Sequence, residues 1–197
     1  MIVFVSGAAR SGKSRFAEEK ALEIYREQKS ATAELVYVAT SRKTDHEMIE
    51  RIRFHQEDRS ESWQTIEEPF DLTSVPLKTG MGDVVLVDCL TIWLSNMLYQ
   101  TDPHSYLFSA TMKGESNQSY YLINLIDRFI DLAKVKQQTL IFVTNDLNEG
   151  EQTLVDAMVS EYIYVLEKIH QHIVDRADSA VQVIAGIPID WKGEKSL

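Results

Sequence analysis

Five short apolar runs punctuate the chain, at residues 2–6, 35–40, 84–88, 139–144 and 181–185. Each is rich in Val, Ile, Leu or Phe and alternates little, which is the pattern of strands buried on both faces of a parallel sheet. Between them, apolar residues recur at helical spacing. Residues 14–28 keep Phe16, Leu22 and Ile24 among charged neighbours, and residues 45–59 carry Met48, Ile49, Ile52 and Phe54. Longer amphipathic stretches cover 120–135 and 155–174. Strands alternating with helices predict an α/β doubly wound fold, a mostly parallel sheet with helices on both faces. The polar, turn-rich stretch 101–119 (TDPHSYLFSATMKGESNQS) reads as a mobile surface insert in a single domain spanning 1–197, and the tail from Trp191 to Leu197 as frayed.

Composition narrows the function classes. With 44% apolar and 25% charged residues, the chain is not of the intrinsically disordered class. Its net charge of −10 disfavours general nucleic-acid binding, because cationic side chains supply most non-specific affinity for phosphate backbones. The charge is uneven: residues 1–60 carry 11 basic and 10 acidic side chains, and residues 61–197 carry 9 and 20. An anionic ligand should prefer the first third. Cys89, the single cysteine, excludes an internal disulfide and a cysteine-based zinc cluster and reads as an inert core residue. No apolar stretch is long enough to span a bilayer, and MIVFVSGAARSGK lacks the order of a signal peptide. The expectation is a soluble cytoplasmic protein without a membrane span.

The sharpest chemical signal is Gly7-Ala8-Ala9-Arg10-Ser11-Gly12-Lys13-Ser14, a G-x-x-x-x-G-K-S motif between an apolar strand and a helix. The glycines let the backbone curl so that its N–H groups face phosphate oxygens, and the helix adds its positive end. Lys13 should reach the β- and γ-phosphates and Ser14 should ligate Mg²⁺. The run Val84-Val85-Leu86-Val87-Asp88 ends in a carboxylate that can hold the same ion, the alternative being a cap of the helix beginning near Leu90.

A second centre surrounds His55. Arg51, His55 and Arg59 are spaced by four residues, so a helix would place them on one face. Two guanidinium groups beside an imidazole can handle phosphate, and a neutral imidazole can attack phosphorus; a solvated helix face is the plainer alternative. His46, His104, His170 and His172 have no comparable neighbours, and His170 and His172, two apart, make a poor metal pair. The carboxylates of Glu67-Glu68-Pro69 could meet a base or ribose. Thr144-Asn145-Asp146 ends a strand where binding crevices form, or caps a helix.

Together these segments resemble the bifunctional adenosylcobinamide kinase / adenosylcobinamide-phosphate guanylyltransferase family of cobalamin biosynthesis. The resemblance rests on Gly7 through Glu18, on Tyr37-Val-Ala-Thr-Ser41 and on Asp45-His-Glu-Met-Ile-Glu-Arg-Ile-Arg-Phe-His55-Gln-Glu-Asp-Arg59. It continues through Trp63, Glu67-Glu68-Pro69, Asp88-Cys-Leu-Thr-Ile-Trp-Leu-Ser-Asn96 and Ala185-Gly-Ile-Pro188. It implies phosphorylation of the corrinoid's aminopropanol hydroxyl by ATP or GTP, then transfer of GMP from GTP onto that phosphate. It also implies a RecA-like P-loop NTPase fold, a homotrimer, Mg²⁺, and His55 as the histidine that carries GMP. The nucleotide site carries over to Gly7 through Ser14, to Ala39, Thr40 and Ser41, to Gln56, Glu57, Asp58 and Arg59, and to Glu67 and Asp88.

The pattern departs after the fourth apolar run. Where the family reads N-E-V-G-x-G, V-P-E-N, R-x-F-R-D and G-R-x-N-Q, this chain keeps Asn145, Gly150 and Gln171, has Asp146 for the acid, and lacks the proline and the arginine-rich helix. Two other readings stand beside the family's: another P-loop small-molecule kinase or nucleotidyltransferase, and a nucleotide-binding module without turnover. A covalent guanylyl adduct separates the first from both.

Overall fold

The computed structural model describes residues 1–28, 32–42, 63–99, 115–147 and 157–193. The five apolar runs form strands β1 (Ile2–Gly7), β2 (Leu35–Ala39), β4 (Val84–Asp88), β5 (Thr139–Asn145) and β6 (Ser179–Ile184). Two more strands join them, β3 (Trp63–Glu67) and β7 (Ile187–Lys192). The helices are α1 (Lys13–Gln28), the short α2 (Val75–Lys78), α3 (Leu90–Tyr99), α4 (Glu115–Val135) and α5 (Ala157–Arg176). The sheet order is β3-β2-β4-β5-β1-β6-β7, and only β7 runs antiparallel to its neighbour. This is the mostly parallel α/β arrangement of a P-loop NTPase, with every parallel strand ending on one edge.

Strand alternation divides the core between two faces. Val3, Val5, Leu35, Tyr37, Leu86, Ile141 and Val143 pack with Ala17, Ala21 and Ile24 of α1. Ala17 and Ala21, one turn apart and fully buried, let α1 approach the sheet closely. Phe4, Val38, Val85, Val87 and Phe142 face the other way, toward Trp93 of α3, Phe129 of α4 and Ile169 of α5. The burial of Cys89 matches its reading as a core thiol; desolvation, with the adjacent Asp88 carboxylate, pushes its pKa up to about 11.

Three boundaries differ from expectation. β3 is an edge strand whose outward positions are polar, so its sequence shows no continuous apolar run. Trp191 and Lys192 are not frayed but belong to β7, and Lys192 Nζ donates to the carbonyls of Val174 and Asp175 at the end of α5. A cation there satisfies carbonyls that lack helical partners. α4 begins at Glu115, so the last five residues of the expected 101–119 insert are helical; residues 101–114 lie outside the described residues, as does the expected helix at 45–59.

His170 and His172 face different partners, as their spacing requires. His172 Nε2 pairs with Asp127 at 2.7 Å, and Arg176 joins Asp127 to Asp131. His170 is packed edge-on to Phe4, and its Nε2 lies 2.8 Å from Thr144 Oγ1. Burial pushes its pKa down to about 4, although the Asp146 carboxylate works in the opposite direction.

A stability test follows from that imidazole. In the unfolded chain His170 takes a proton near pH 6.5, whereas the folded protein keeps it neutral down to about 4. The unfolded state is protonated first, so stability falls as pH drops through this window and levels off below it. Between pH 7 and about pH 4.5 this group should cost about 2–3 kcal/mol. Urea unfolding of wild type and His170→Leu at both pH values should show a smaller drop in the variant by that amount. Equal drops would remove His170 from the account.

Candidate functional site

The phosphate loop is shaped by three local features. Gly7 closes β1 where a Cβ would stand 2.5 Å from both Ser11 Oγ and Val183 O, so only glycine fits. Arg10 (φ 62°) and Gly12 (φ 92°) adopt left-handed backbone, which turns the chain back over the strand end. The curl is held by Ser11 N–H to Ala8 O at 3.1 Å, and α1 starts with Phe16 N–H to Gly12 O at 3.0 Å. The first turn of α1 carries no acidic side chain, so its positive end is uncompensated. Lys13 is buried, with Nζ donating to Ala8 O at 3.1 Å, which folds the ammonium over the loop. Ser11 Oγ is buried without a hydrogen-bond partner among the described residues. A curled loop, a free helix end and an ammonium make a cradle for a polyphosphate.

Asp88 ends β4, separated from β1 by β5. The register sets Gly7 beside Asn145, and Val143 beside Asp88. Tyr37 Oη donates to Asp88 Oδ2 at 2.9 Å and orients the carboxylate, a role that the sequence reading missed. Its sequence signal was slight: a polar-tipped aromatic in an otherwise aliphatic strand.

The neighbouring strand ends are stitched together. Thr40 is fully buried; its hydroxyl donates to Cys89 O and accepts from Cys89 N–H, both at 2.9 Å, and its own N–H donates to Asp88 O. Its hydroxyl thus braces the β2 and β4 ends. Asn96 Nδ2 donates to Thr40 O at 2.8 Å and to Pro69 O at 3.3 Å, while Trp93 Nε1 donates to Phe70 O at 2.8 Å. Asn96 and Trp93 sit one helical turn apart on α3 and pull the loop after β3 toward β2. Ala39 and half-exposed Ser41 flank Thr40, and exposed Glu67 ends β3.

Glu68, not Glu67, organises that loop. Its carboxylate accepts from the amides of Phe70 and Asp71, from Ser74 Oγ and from Lys78 Nζ. Burial raises its pKa, but the bonds from Ser74, Lys78 and Asp71 outweigh that and hold it below the usual value.

Past β5, the Asp146 N–H donates to Gly7 O at 3.0 Å, and Gln182 Nε2 donates to Asp146 Oδ2 at 3.0 Å. Asn145 Nδ2 donates to Thr91 Oγ1 at 2.9 Å, and Tyr162 of α5 donates to Thr91 O at 2.7 Å. Gly7 through Ser14, Ala39 through Ser41, Glu67 and Asp88 thus share one edge of the sheet. His55, Gln56, Glu57, Asp58 and Arg59, with Arg51 and His46, lie outside the described residues.

Comparisons with known proteins give the family. The family model described as "Cobinamide kinase / cobinamide phosphate guanyltransferase" matches residues 3–191. The chain is 32% identical over 191 residues to the bifunctional adenosylcobalamin biosynthesis protein CobP of Pseudomonas aeruginosa, covering 96% of each chain. It is 27% identical to the bifunctional adenosylcobalamin biosynthesis protein CobU of Salmonella typhimurium, over 98% of this chain and 100% of that one. The CobU protein of Escherichia coli is similar to the same degree, 27% identical over 198 residues. A phosphate cradle at the head of an α/β sheet and a match over nearly the whole length lead to one conclusion: the chain belongs to the cobinamide kinase / cobinamide phosphate guanyltransferase family.

Proposed function

We propose that this chain phosphorylates the aminopropanol hydroxyl of adenosylcobinamide with ATP or GTP, and then transfers GMP from GTP to the new phosphate. The observation that carries the reading is the phosphate cradle, with Lys13 folded over it and Asp88 at the same sheet edge, in a chain of this family. In the kinase step Lys13 neutralises charge that develops on the β- and γ-phosphates. The residues fit a hard divalent cation: Ser14 offers a hydroxyl and Asp88 a carboxylate steadied by Tyr37. Mg²⁺, when bound there with the nucleotide, supplies charge neutralisation at the transferring phosphate. Among the described residues no three His, Cys, Asp or Glu side chains form a group that could hold a metal ion, and at Ser14 and Asp88 the phosphates and water would complete the shell.

In the transfer step the His55 imidazole attacks the α-phosphorus of GTP. The bond to the β-phosphate oxygen breaks and pyrophosphate leaves with the electron pair. An oxygen of the corrinoid phosphate then displaces the imidazole, giving adenosylcobinamide-GDP. An ordinary imidazole is largely neutral at pH 7, as a nucleophile must be. Gln56, Glu57, Asp58, Arg59, Ala39, Ser41 and Glu67 are the groups proposed to hold the GMP half, with Thr40 bracing them. A cytoplasmic homotrimer of single-domain subunits completes the reading. No described helix is long and apolar enough to cross a membrane.

Incubation with adenosylcobinamide, GTP and Mg²⁺, followed by mass analysis of the corrinoid, tests the whole proposal; unmodified corrinoid would refute it. Lys13→Ala should lower kinase turnover by about two orders of magnitude or more while the thermal midpoint stays near wild type. Near-normal turnover would unseat the cradle. Ser14→Ala and Asp88→Asn should each raise the Mg²⁺ concentration needed for half-maximal rate. Unchanged titrations for both would return Asp88 to a capping role. With α-labelled GTP, the wild type should carry an acid-labile, base-stable label that His55→Ala loses along with guanylyl transfer. Label persisting in His55→Ala would move the nucleophile elsewhere, with His46 the next candidate.

A further inference from the structure

The β6–β7 hairpin turns through Ala185 and Gly186, both in left-handed backbone at φ 49° and 83°. The turn is fastened to the phosphate loop. Gly186 N–H donates to Ser11 O at 2.8 Å, and Gly186 Cα lies 3.4 Å from where a Cβ on Gly12 would stand. Ile184 and Ile187 face each other across the turn, so their side chains share one face. They are 44% and 66% exposed, and the space over Gly186 is open to at least 4 Å. Two branched aliphatic side chains thus stand in solvent beside a polyphosphate cradle.

The direction of the nucleotide decides what they meet. With Ser14 and Asp88 as the metal side, the reacting end of a triphosphate points toward β4, which lies on the β5 side of β1. β6 lies on the opposite side of β1. A triphosphate laid across the loop in that direction leads its ribose and base toward the hairpin. A purine is flat and apolar on its faces, and such faces are bound by apolar side chains near a few polar anchors.

We propose that Ile184 and Ile187, around the Ala185–Gly186 turn, form the platform for the nucleobase of the phosphoryl donor. This rests on the cradle and metal-side assignments made above and adds the base subsite to them. The ends of β2 and β3 lie beyond the reacting phosphate on the Asp88 side, so Ala39, Ser41 and Glu67 serve the GMP half of the guanylyl donor instead. The two reactions then run the nucleotide across one cradle in opposite directions. Contact with a purine face does not read the base edge, so ATP and GTP are held alike.

The test compares ATP, GTP and inorganic tripolyphosphate, each with Mg²⁺, binding to wild type and to the Ile184→Ser/Ile187→Ser double variant. Tripolyphosphate has the charge but no base. The variant should bind ATP about tenfold more weakly, with tripolyphosphate unchanged, and the KM of the kinase donor should rise by a similar factor, whereas GTP keeps its guanylyl-donor orientation and loses less. Unchanged ATP affinity would overturn the proposal. Equal weakening for tripolyphosphate would also overturn it, since the hairpin would then only brace the loop. Wild-type protein that binds tripolyphosphate as tightly as the nucleotides has no base platform. Wild-type protein that binds none of the three removes the cradle reading itself.

Discussion

The site depends on one close approach, at Gly7. A single methyl group there would collide with Ser11 Oγ and with the Val183 carbonyl. Because the position is bare, the loop can fold back onto the end of β1 while β6 passes directly beside it. The consequences spread outward from that point. Ser11 O is placed to accept from Gly186, which fixes the hairpin, and Gly7 O accepts from Asp146, which fixes the exit from β5. Three strands are registered to the phosphate loop through main-chain bonds, so the cradle is a property of the sheet edge and not of a free loop.

The other half of the edge is built differently. There the strand ends are joined to one another by buried and half-buried side chains. Thr40 grips the Cys89 peptide from both sides, Asn96 spans Thr40 O and Pro69 O, and Glu68 gathers four donors. Each such bond contributes only about 1 kcal/mol net, but leaving a buried partner unpaired costs more than forming the pair gains. The network therefore acts more as a constraint on geometry than as a source of stability. It sets where Asp88, Ser41 and Glu67 stand relative to Lys13, and α3 supplies its pivots.

Periodicity made the interior strands legible because burial on both faces leaves an unbroken apolar run, as in β4 with Val84, Val85, Leu86 and Val87. It failed at the two edges for a physical reason. β3 and β7 each have an unpaired side and exposed positions, so Gln64, Thr65, Pro188 and Asp190 interrupt the pattern. The phosphate loop was legible because its chemistry requires glycine and lysine at set spacings. The bracing side chains were not, since a buried Asn or Thr acquires its role only from distant partners: Asn96 from residues 40 and 69, Thr40 from residue 89. The hairpin contact with Ser11 likewise joins positions 175 residues apart and leaves no local trace.

The acidic second half of the chain takes its meaning from this geometry. Where the arginine-rich segment of the resembled family is missing, α5 makes neutral contacts: Tyr162 with Thr91 O of α3, and His170 with Thr144 of β5 and Phe4 of β1. Several of its charges are spent between helices, with Asp127 and Asp131 meeting His172 and Arg176 far from the cradle. Lys13 and the uncompensated start of α1 place positive charge at the phosphate loop. Together they draw a polyphosphate to the loop, against the chain's net charge of −10.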